Sequence, residues 1–532
     1  MKHRRALMLL AGMLGLGAGA AALAGKDPEE RYIVKYREGV TAGALRMGPR
    51  SGLRVERELP RHNAAALRLS RAEAAVLAQD PTVEFVEPDP VRVPVSVVRA
   101  KPSGADIVAA GAASNSQIIP YGLSLVKAVS LGGVPSAGIK VCVIDSGYEL
   151  GHEDKPMKPL VSGDDDIAGT GLWSTDETGH GTHVSGIINA RNNTIGVLGV
   201  FPRVPMHIVK VFGDSDTWTY SSDLVAALDR CIAAGAKVIN LSLGGSDTSR
   251  TELVAFRKAR AAGVITVAAA GNDGTSALSY PAAYPSVISV AALDENLQRA
   301  SFSNFSSTVS FAAPGVSVLS TVPRGSSRRA ELETALGSQS VAPMDNFPTP
   351  TAPVSGPIAD CGLAGTAADC AGANGGICLI ERGTYLFAEK AQNCEAAGGI
   401  GAVIYNRADE SGLVYGTLGD VRVSIPVVGT DRNTGLSLRQ AYLGTTATLR
   451  ISSWPYDYFS GTSMATPYVA GVAALVWSRH PRCSNEVILQ ALFATAQDLG
   501  LVGPDPDYGS GLIKARAANT WLDSQPCSAT PR

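Results

Sequence analysis

Between Gly138 and Leu293 the chain repeats one device, a short apolar run with no polar alternation: IKVCVID, PMHIVKVF, AKVINLSLGG, GVITVAAAGN and SVISVAAL. A strand with one wet face alternates apolar and polar residues. Unbroken apolar runs therefore describe strands covered on both faces, as in parallel sheets. Between them, SSDLVAALDRCIAAGA and TELVAFRKARAAG carry apolar residues at helical spacing, with Ser221 or Ser222 available to cap the first. Strands alternating with helices predict an α/β sandwich whose functional residues gather at the carboxyl ends of the strands.

The strand ends carry the chemistry. IKVCVID finishes in Asp145, followed by Ser146 and Gly147. An acid directly after a buried strand is costly to place unless something ties it down, and glycine lets the chain turn away. In ETGHGTHVSGIINA, His180 stands between Gly179 and Gly181, so backbone can approach it closely, and a helix can run on to Ala190. His180 and His183 have helical i,i+3 spacing, but no HExxH pattern supports zinc hydrolysis, and His183 reads as a buried structural histidine. The stretch YFSGTSMATPYVAGVAALVW places Ser463 near the start of a buried helix, with Pro467 expected in its first turn. Unpaired amides there suit a developing oxyanion. Each feature alone has a plainer reading: Asp145 as a loop cap, Ser463 as a helix cap. A serine hydroxyl becomes a nucleophile only beside a base.

Taken together, VIDSG, GHGTHVSG and GTSMATP resemble, segment by segment and in the same order, the triad motifs of subtilisin-like serine proteases. AAAGN matches at Asn272 the family's oxyanion asparagine. The resemblance spans roughly residues 117–322 and 451–520. It implies an α/β, subtilisin-like three-layer sandwich on a seven-stranded parallel sheet, and a secreted endopeptidase acting through an acyl-enzyme. In that reading Asp145, His180 and Ser463 are catalytic and Asn272 completes the oxyanion hole. Leu241, Ser242, Leu243 and Gly244 line the substrate cleft, while Ala269 and Gly271 border the pocket for the residue before the cut. Its small walls suit a large apolar side chain, and no charged selector is evident nearby.

The remaining chain divides around that core. Residues 1–24, with a basic start, an apolar middle and small residues to Ala24, have the layout of a cleaved secretory signal. Residues 28–90 read as a small α+β unit, in which RYIVKY is a strand and LRLSRAEAAVLAQDPTVEFVEPDP a helix, a turn and a second strand. The resemblance makes this unit the family's inhibitory propeptide, and residues 91–116 a linker with the maturation site, cut between Ala109 and Pro120. The peptidase domain is expected over 117–337 and 451–532. Residues 338–450 form a β-rich insertion resembling a protease-associated domain in LIERGTYLFAEKAQNCEAAGGIGAVIYN.

Export gives the eight cysteines a role as disulfides. Two local bridges among Cys361, Cys370, Cys378 and Cys394, and one between Cys483 and Cys527, are expected; Cys142 and Cys231 could bridge or stay packed thiols. No cofactor is expected for catalysis. A structural Ca²⁺ is a family expectation with ligands unassigned, the candidates being Asp164 to Asp166, or Asp154 with Asn192 to Ile195. A formal net charge of −2 removes the electrostatic case for nucleic acid. Expected partners are protein or peptide substrates and the chain's own propeptide, on a monomer without a stable membrane anchor. The alternative is a catalytically silent extracellular peptide-binding protein; a lipase would need the GxSxG elbow that Ser463 lacks.

Overall fold

The computed structural model describes residues 28–40, 53–95, 97–100, 117–131, 136–165, 169–213, 218–345, 352–525 and 527. The secretory signal expected over 1–24, and residues 101–116 of the expected linker, lie outside them. The first unit is an antiparallel sheet in the order β2-β3-β1-β4, built from β1 (Glu30–Tyr36), β2 (Arg54–Leu59), β3 (Ala64–Leu69) and β4 (Val83–Pro88). Helix α1 (Arg71–Ala78) begins at a capping box in which Ser70 Oγ accepts from Glu73 N–H and Glu73 accepts from Ser70 N–H. Thus Leu67 to Leu69 end a strand and do not open the helix. As an inner strand, β3 has its residues buried on both faces, which hides the alternation that would have marked it.

The chain then forms β5 (Val91–Pro94) and β6 (Val98–Arg99), where a linker was expected. Beyond it lies the large sheet, comprising β7 (Val141–Asp145), β8 (Val161–Asp164), β9 (Met206–Lys210), β11 (Val238–Leu241), β13 (Ile265–Ala269), β14 (Ile288–Leu293) and β15 (Val309–Pro314), with short β10 (Thr219–Tyr220) and β12 (Leu243–Gly244) at its rim. Its order is β15-β14-β13-β11-β7-β9-β8, every neighbouring pair parallel. Strand β7 sends Val141 and Val143 to one layer and Cys142 and Ile144 to the other, which is why its sequence is apolar up to Asp145. One layer holds α2 (His180–Asn189) and the long α7 (Thr462–Arg479); the other holds α3 (Ser221–Ala233) and α4 (Arg250–Ala261). A disulfide from Cys142 to Cys231 ties β7 to α3.

After β16 (Val318–Thr321) the chain leaves the core. It builds a mixed eight-stranded sheet from β17 (Arg328–Thr334), β18 (Gly337–Gln339), β19 (Val341–Pro343), β20 (Val354–Asp360), β21 (Ile377–Glu381), β22 (Gly401–Tyr405), β23 (Val427–Thr430) and β24 (Thr446–Ser453). Helices α5 (Phe387–Ala396) and α6 (Arg432–Ala441) pack on it, and it has an apolar core of its own. The insert's sheet begins at Arg328, before the expected residue 338, because β17 pairs along β24 from Arg328 opposite Ser453. Cys361–Cys370 and Cys378–Cys394 staple it. Strand β25 (Tyr456–Ser460) returns antiparallel to β16, and α7, α8 (Asn485–Thr495) and α9 (Ala515–Ser524) follow, with Cys483 bridged to Cys527. No helix among the described residues is long and apolar enough to cross a membrane.

Candidate active site

Asp145 is the last residue of β7 and is fully buried. One oxygen, Oδ1, accepts from Ser146 N–H at 2.8 Å and from the His180 Nδ1–H at 2.7 Å. His180 opens α2 behind Gly179, whose φ of +80° favours glycine. The sequence reading missed the group that orients this helix. Asp176, a buried carboxylate, accepts from Gly179 N–H at 2.9 Å, Thr182 N–H at 2.7 Å and Ser146 Oγ–H at 2.8 Å. It satisfies amides that begin the helix and joins them to the turn after β7. A Cβ on Gly181 would lie 2.4 Å from Gly147 O, so the close approach expected from GHG is real. Burial pushes the His180 pKa down, but the charge and hydrogen bond of Asp145, helped by the charge of Asp176, outweigh it and hold the imidazole above its ordinary value.

Ser463 is the second residue of α7 and fully buried. Pro467 lies in the second turn of that helix, not the first. Having no N–H, it leaves the Ser463 carbonyl without its helical partner. That oxygen instead accepts from Ser242 Oγ–H at 2.9 Å, which ties the helix start to the end of β11. Thr462 donates from N–H (2.9 Å) and Oγ1–H (2.8 Å) to Asn272 Oδ1, fixing the orientation of that amide beside the serine.

Ser463 Oγ donates toward two carbonyls, Val95 O at 3.1 Å and Ser242 O at 3.2 Å. His180 Nε2 is buried and makes no hydrogen bond among the described residues. Val95 is there because β5 lies between β10 and β12 as the middle strand of an antiparallel ribbon, Pro94 opposite Leu243 and Val93 opposite Gly244, with Val95 N–H reaching Ser242 O at 3.3 Å. Strand β6 continues along β25, Val98 opposite Ser460 and Arg99 opposite Phe459. Residues 91–94 and 98–99 therefore run as extended strand on either side of the serine.

The expected cleft residues divide. Ser242, Leu243 and Gly244 pair with the β5 segment, whereas Leu241 packs its side chain in the apolar layer with α3 and α4. Ala269 is the buried end of β13, and Gly271 N–H reaches Thr462 Oγ1 at 3.3 Å. His183 is a structural residue, its Nε2 between Val318 O (3.0 Å) and Asp457 O (3.1 Å) and its ring stacked on Phe459.

The first unit grips both helices of the outer layer. Glu87 accepts from Arg250 N–H (2.8 Å) and Thr251 N–H (2.9 Å) at the start of α4. Asp89 accepts from Ser222 N–H (2.9 Å) and Oγ–H (2.6 Å) at the start of α3. Thus α3 is capped from outside by Asp89; its own Ser221 and Ser222 make no capping bond. Arg31 bridges Asp89 at 2.9 Å and Asp223 at 3.0 Å. Burial, more than the opposing charge of Arg31, raises the Asp89 pKa to about 7.

Among the metal candidates, Asp164 is spent on His207 (3.2 Å) and Arg230 (3.7 Å), and Asp166 lies outside the described residues. Asp154 sits in different company. Its oxygens lie 2.8 Å from Asn193 Nδ2 and 2.7 Å from Val197 N, while the Gln117 amide nitrogen stands within 3.4 Å of the carbonyls of Arg191, Ile195 and Val197 and of Asn193 Oδ1. Asn193 Oδ1 and the three carbonyls converge on the Gln117 amide nitrogen; with that amide turned to present Oε1, they and the Asp154 carboxylate make an all-oxygen donor set of the kind Ca²⁺ takes. The one cluster of metal-ligand type among the described residues, Cys361, Cys370 and Cys378, consists of disulfide-bonded sulfurs.

Comparison with known proteins agrees with this geometry. The sequence model of the subtilase family matches residues 136–344 and 415–511, and that of the PA domain matches 351–438. Subtilisin NAT of Bacillus subtilis subsp. natto is 34% identical over 60% of this chain and 80% of its own length. Subtilisin DY of Bacillus licheniformis is 44% identical over 39% of this chain and 76% of its own. The crystal structure of a psychrophilic subtilisin-like protease from the Antarctic Pseudoalteromonas sp. AS-11 superposes with a TM-score of 0.58 at 38% identity, covering 78% of this chain and 99% of that one.

Proposed function

Because this chain belongs to the subtilase family of serine proteases, with a PA domain inserted in it, we propose that Asp145, His180 and Ser463 are its catalytic triad and that residues 28–95 are its own inhibitor. The chain is a proteolytic enzyme, not a silent binder. One observation carries the assignment of roles: Ser463 Oγ stands 3.1 Å from the carbonyl oxygen of Val95, in a segment held on both sides by strand pairing.

In the reaction Ser463 Oγ attacks the carbonyl carbon while His180 Nε2 takes its proton. Asp145 holds the Nδ1–H tautomer and stabilises the imidazolium. Negative charge develops on the carbonyl oxygen, where the Asn272 side-chain amide and the Ser463 N–H receive it; one such donor is worth about 3 kcal/mol in the transition state. His180 returns the proton to the leaving amine, and water then hydrolyses the ester. Among the described residues no group bonds Nε2, so forming its bond to Ser463 displaces none of them.

The first self-cleavage falls at Val95–Ser96, and the cut expected between Ala109 and Pro120 is then a later trimming. Helix-capping by Glu87 and Asp89 makes the 28–90 unit complementary to the folded core, which suits an inhibitor. Four disulfides suit an oxidising compartment and support secretion behind the 1–24 signal. Gln117, Asp154, Arg191, Asn193, Ile195 and Val197 would hold a structural Ca²⁺, remote from the chemistry. The mature enzyme is expected to act as a monomer on proteins and peptides.

The test is intact mass and N-terminal sequencing of secreted wild type beside Ser463→Ala, each assayed on casein. Wild type should begin at or after Ser96 and digest casein, while the variant keeps the 28–95 segment and is inert. Equal processing and digestion by both would remove Ser463 as nucleophile.

A further inference from the structure

We propose that the pocket holding Arg92 is a cation-selective subsite, so that the enzyme prefers substrates with arginine four residues before the cut bond. The inference rests on reading Ser463 as nucleophile and β5 as a substrate-like segment. Val95 then precedes the cut, and Arg92 is the fourth residue back. Its side chain is fully buried. Nε donates to Glu252 Oε1 at 3.1 Å and Nη2 to Oε2 at 2.5 Å, a forked pair, while Nη2 also reaches Asp247 O at 2.9 Å and Nη1 reaches Val91 O at 2.9 Å.

The pocket is built for that fork. Glu252 lies in the first turn of α4 and is itself fully buried. Tyr284 Oη stands 2.8 Å from Glu252 Oε2 and accepts from Ser249 N–H at 3.0 Å, which fixes the carboxylate. Burial, followed by the Glu252 charge, keeps the Tyr284 phenol protonated. A Cβ on Gly245 would come within 3.0 Å of Arg92 Nη1 and 2.5 Å of Val91 O, so glycine there leaves the entry open.

A buried ion pair is a poor device for stability, since an apolar side chain of similar volume fills such space at least as well. A pair placed on a substrate-like strand makes sense as selection. After the 28–95 segment departs, Glu252 remains in the cleft wall as a carboxylate without its cation. An arginine at the same position restores both hydrogen bonds; lysine restores the charge without the fork, and methionine restores neither.

The experiment uses the secreted, self-processed enzyme and a panel of acetyl-Xaa-Val-Pro-Val-p-nitroanilides with Xaa as Arg, Lys, Met or Glu. Arg should exceed Met in kcat/KM by at least about thirtyfold, the loss expected when one partner of a buried charge pair is removed, with Lys between them and Glu lowest. In Glu252→Gln, Arg and Met should fall within about threefold of each other. The wild-type panel decides by itself if that variant does not mature. Equal rates for Arg and Met in wild type would overturn the subsite and leave the protease reading standing. Failure to cut any peptide or casein would overturn that reading and the subsite with it.

Discussion

Replacing Gly181 with alanine should slow self-processing about a hundredfold without unfolding the protein. The Cβ would be placed 2.4 Å from Gly147 O, 2.9 Å from Gly147 N and 3.3 Å from Asp145 Cβ. An ordinary carbon–oxygen contact is roughly 3.4 Å, so the first turn of α2 must retreat by about 1 Å from the turn after β7. His180 is carried on that turn. Its 2.7 Å bond to Asp145 would open to roughly 3.7 Å, past hydrogen-bonding distance. A misplacement of that size costs about a hundredfold in rate, and the overpacking itself costs about 1–3 kcal/mol of stability. Because the proposed processing at Val95–Ser96 would be a single turnover, loss of intact chain followed by mass spectrometry reads the rate directly. Thermal melts of Gly181→Ala and its parent, both in a Ser463→Ala background, show that the fold survives. A processing rate within about twofold of wild type would refute the claim that the contact of α2 with β7 positions His180.

Asp145→Asn removes the charge that holds the His180 pKa up against burial, so the acid limb of the kcat/KM profile should move to lower pH. The plateau should also fall by about four orders of magnitude as the tautomer is lost; a limb that stays in place would argue against Asp145 as its cause. Asp89 has a folded pKa raised to about 7 from 3.8, so the stabilisation linked to it is complete below about pH 4 and lost as pH rises through about 7. The urea midpoint of the Ser463→Ala chain should fall across that window. In an additional Asp89→Asn background the fall should be smaller. Removing divalent cations with EGTA should lower the melting temperature of the mature enzyme, and added Ca²⁺ should restore it in wild type but not in Asp154→Asn. A melting temperature unmoved by EGTA would remove the ion from the Gln117 and Asp154 site.

The core sheet was legible because its signal is local: in β7 the four residues before Asp145 each face one apolar layer or the other, so the sequence has no choice of face to conceal. The proposed site residues Asp145, His180, Asn272 and Ser463 could be singled out for a related reason, each lying in a short motif with glycine where backbone must come close. What was missed depends on partners far away in sequence. Residues 91–94, VRVP, hold a proline within the expected linker and become strand only because β10 and β12 supply pairing on either side. Asp89, expected only at the end of the strand VEFVEPDP, caps a helix that begins at Ser221. Glu252 lies in the first turn of α4, three residues after the capping Ser249, and its role appears only with Arg92 beside it. The sheet of the insert begins ten residues before the expected boundary for the same reason, a pairing between Arg328 and Ser453 that no local pattern announces.

The position of the insert explains how a second domain interrupts the segment before the serine without disturbing it. The chain departs at Thr321 and returns at Tyr456, and these two residues face each other across the β16–β25 ribbon. The insertion thus occupies the end of a hairpin whose strands are already paired, so the core sees a loop. Loop-closure entropy rises only with the logarithm of length, by about 0.6 kcal/mol per doubling, so a long insert there is tolerated. The same ribbon carries the chain past the far side of the cut: Ser460 and Phe459 pair with Val98 and Arg99, and Arg99 also reaches Ser326 O at 3.0 Å and Asp457 at 3.4 Å. Ser326 belongs to the stem from which the insert departs. The PA domain is therefore rooted beside the residues that follow the proposed scissile bond, while Glu252 and Gly245 stand beside those that precede it. Any influence of the insert on cleavage should fall on the leaving half of the substrate, separable from selection at Arg92.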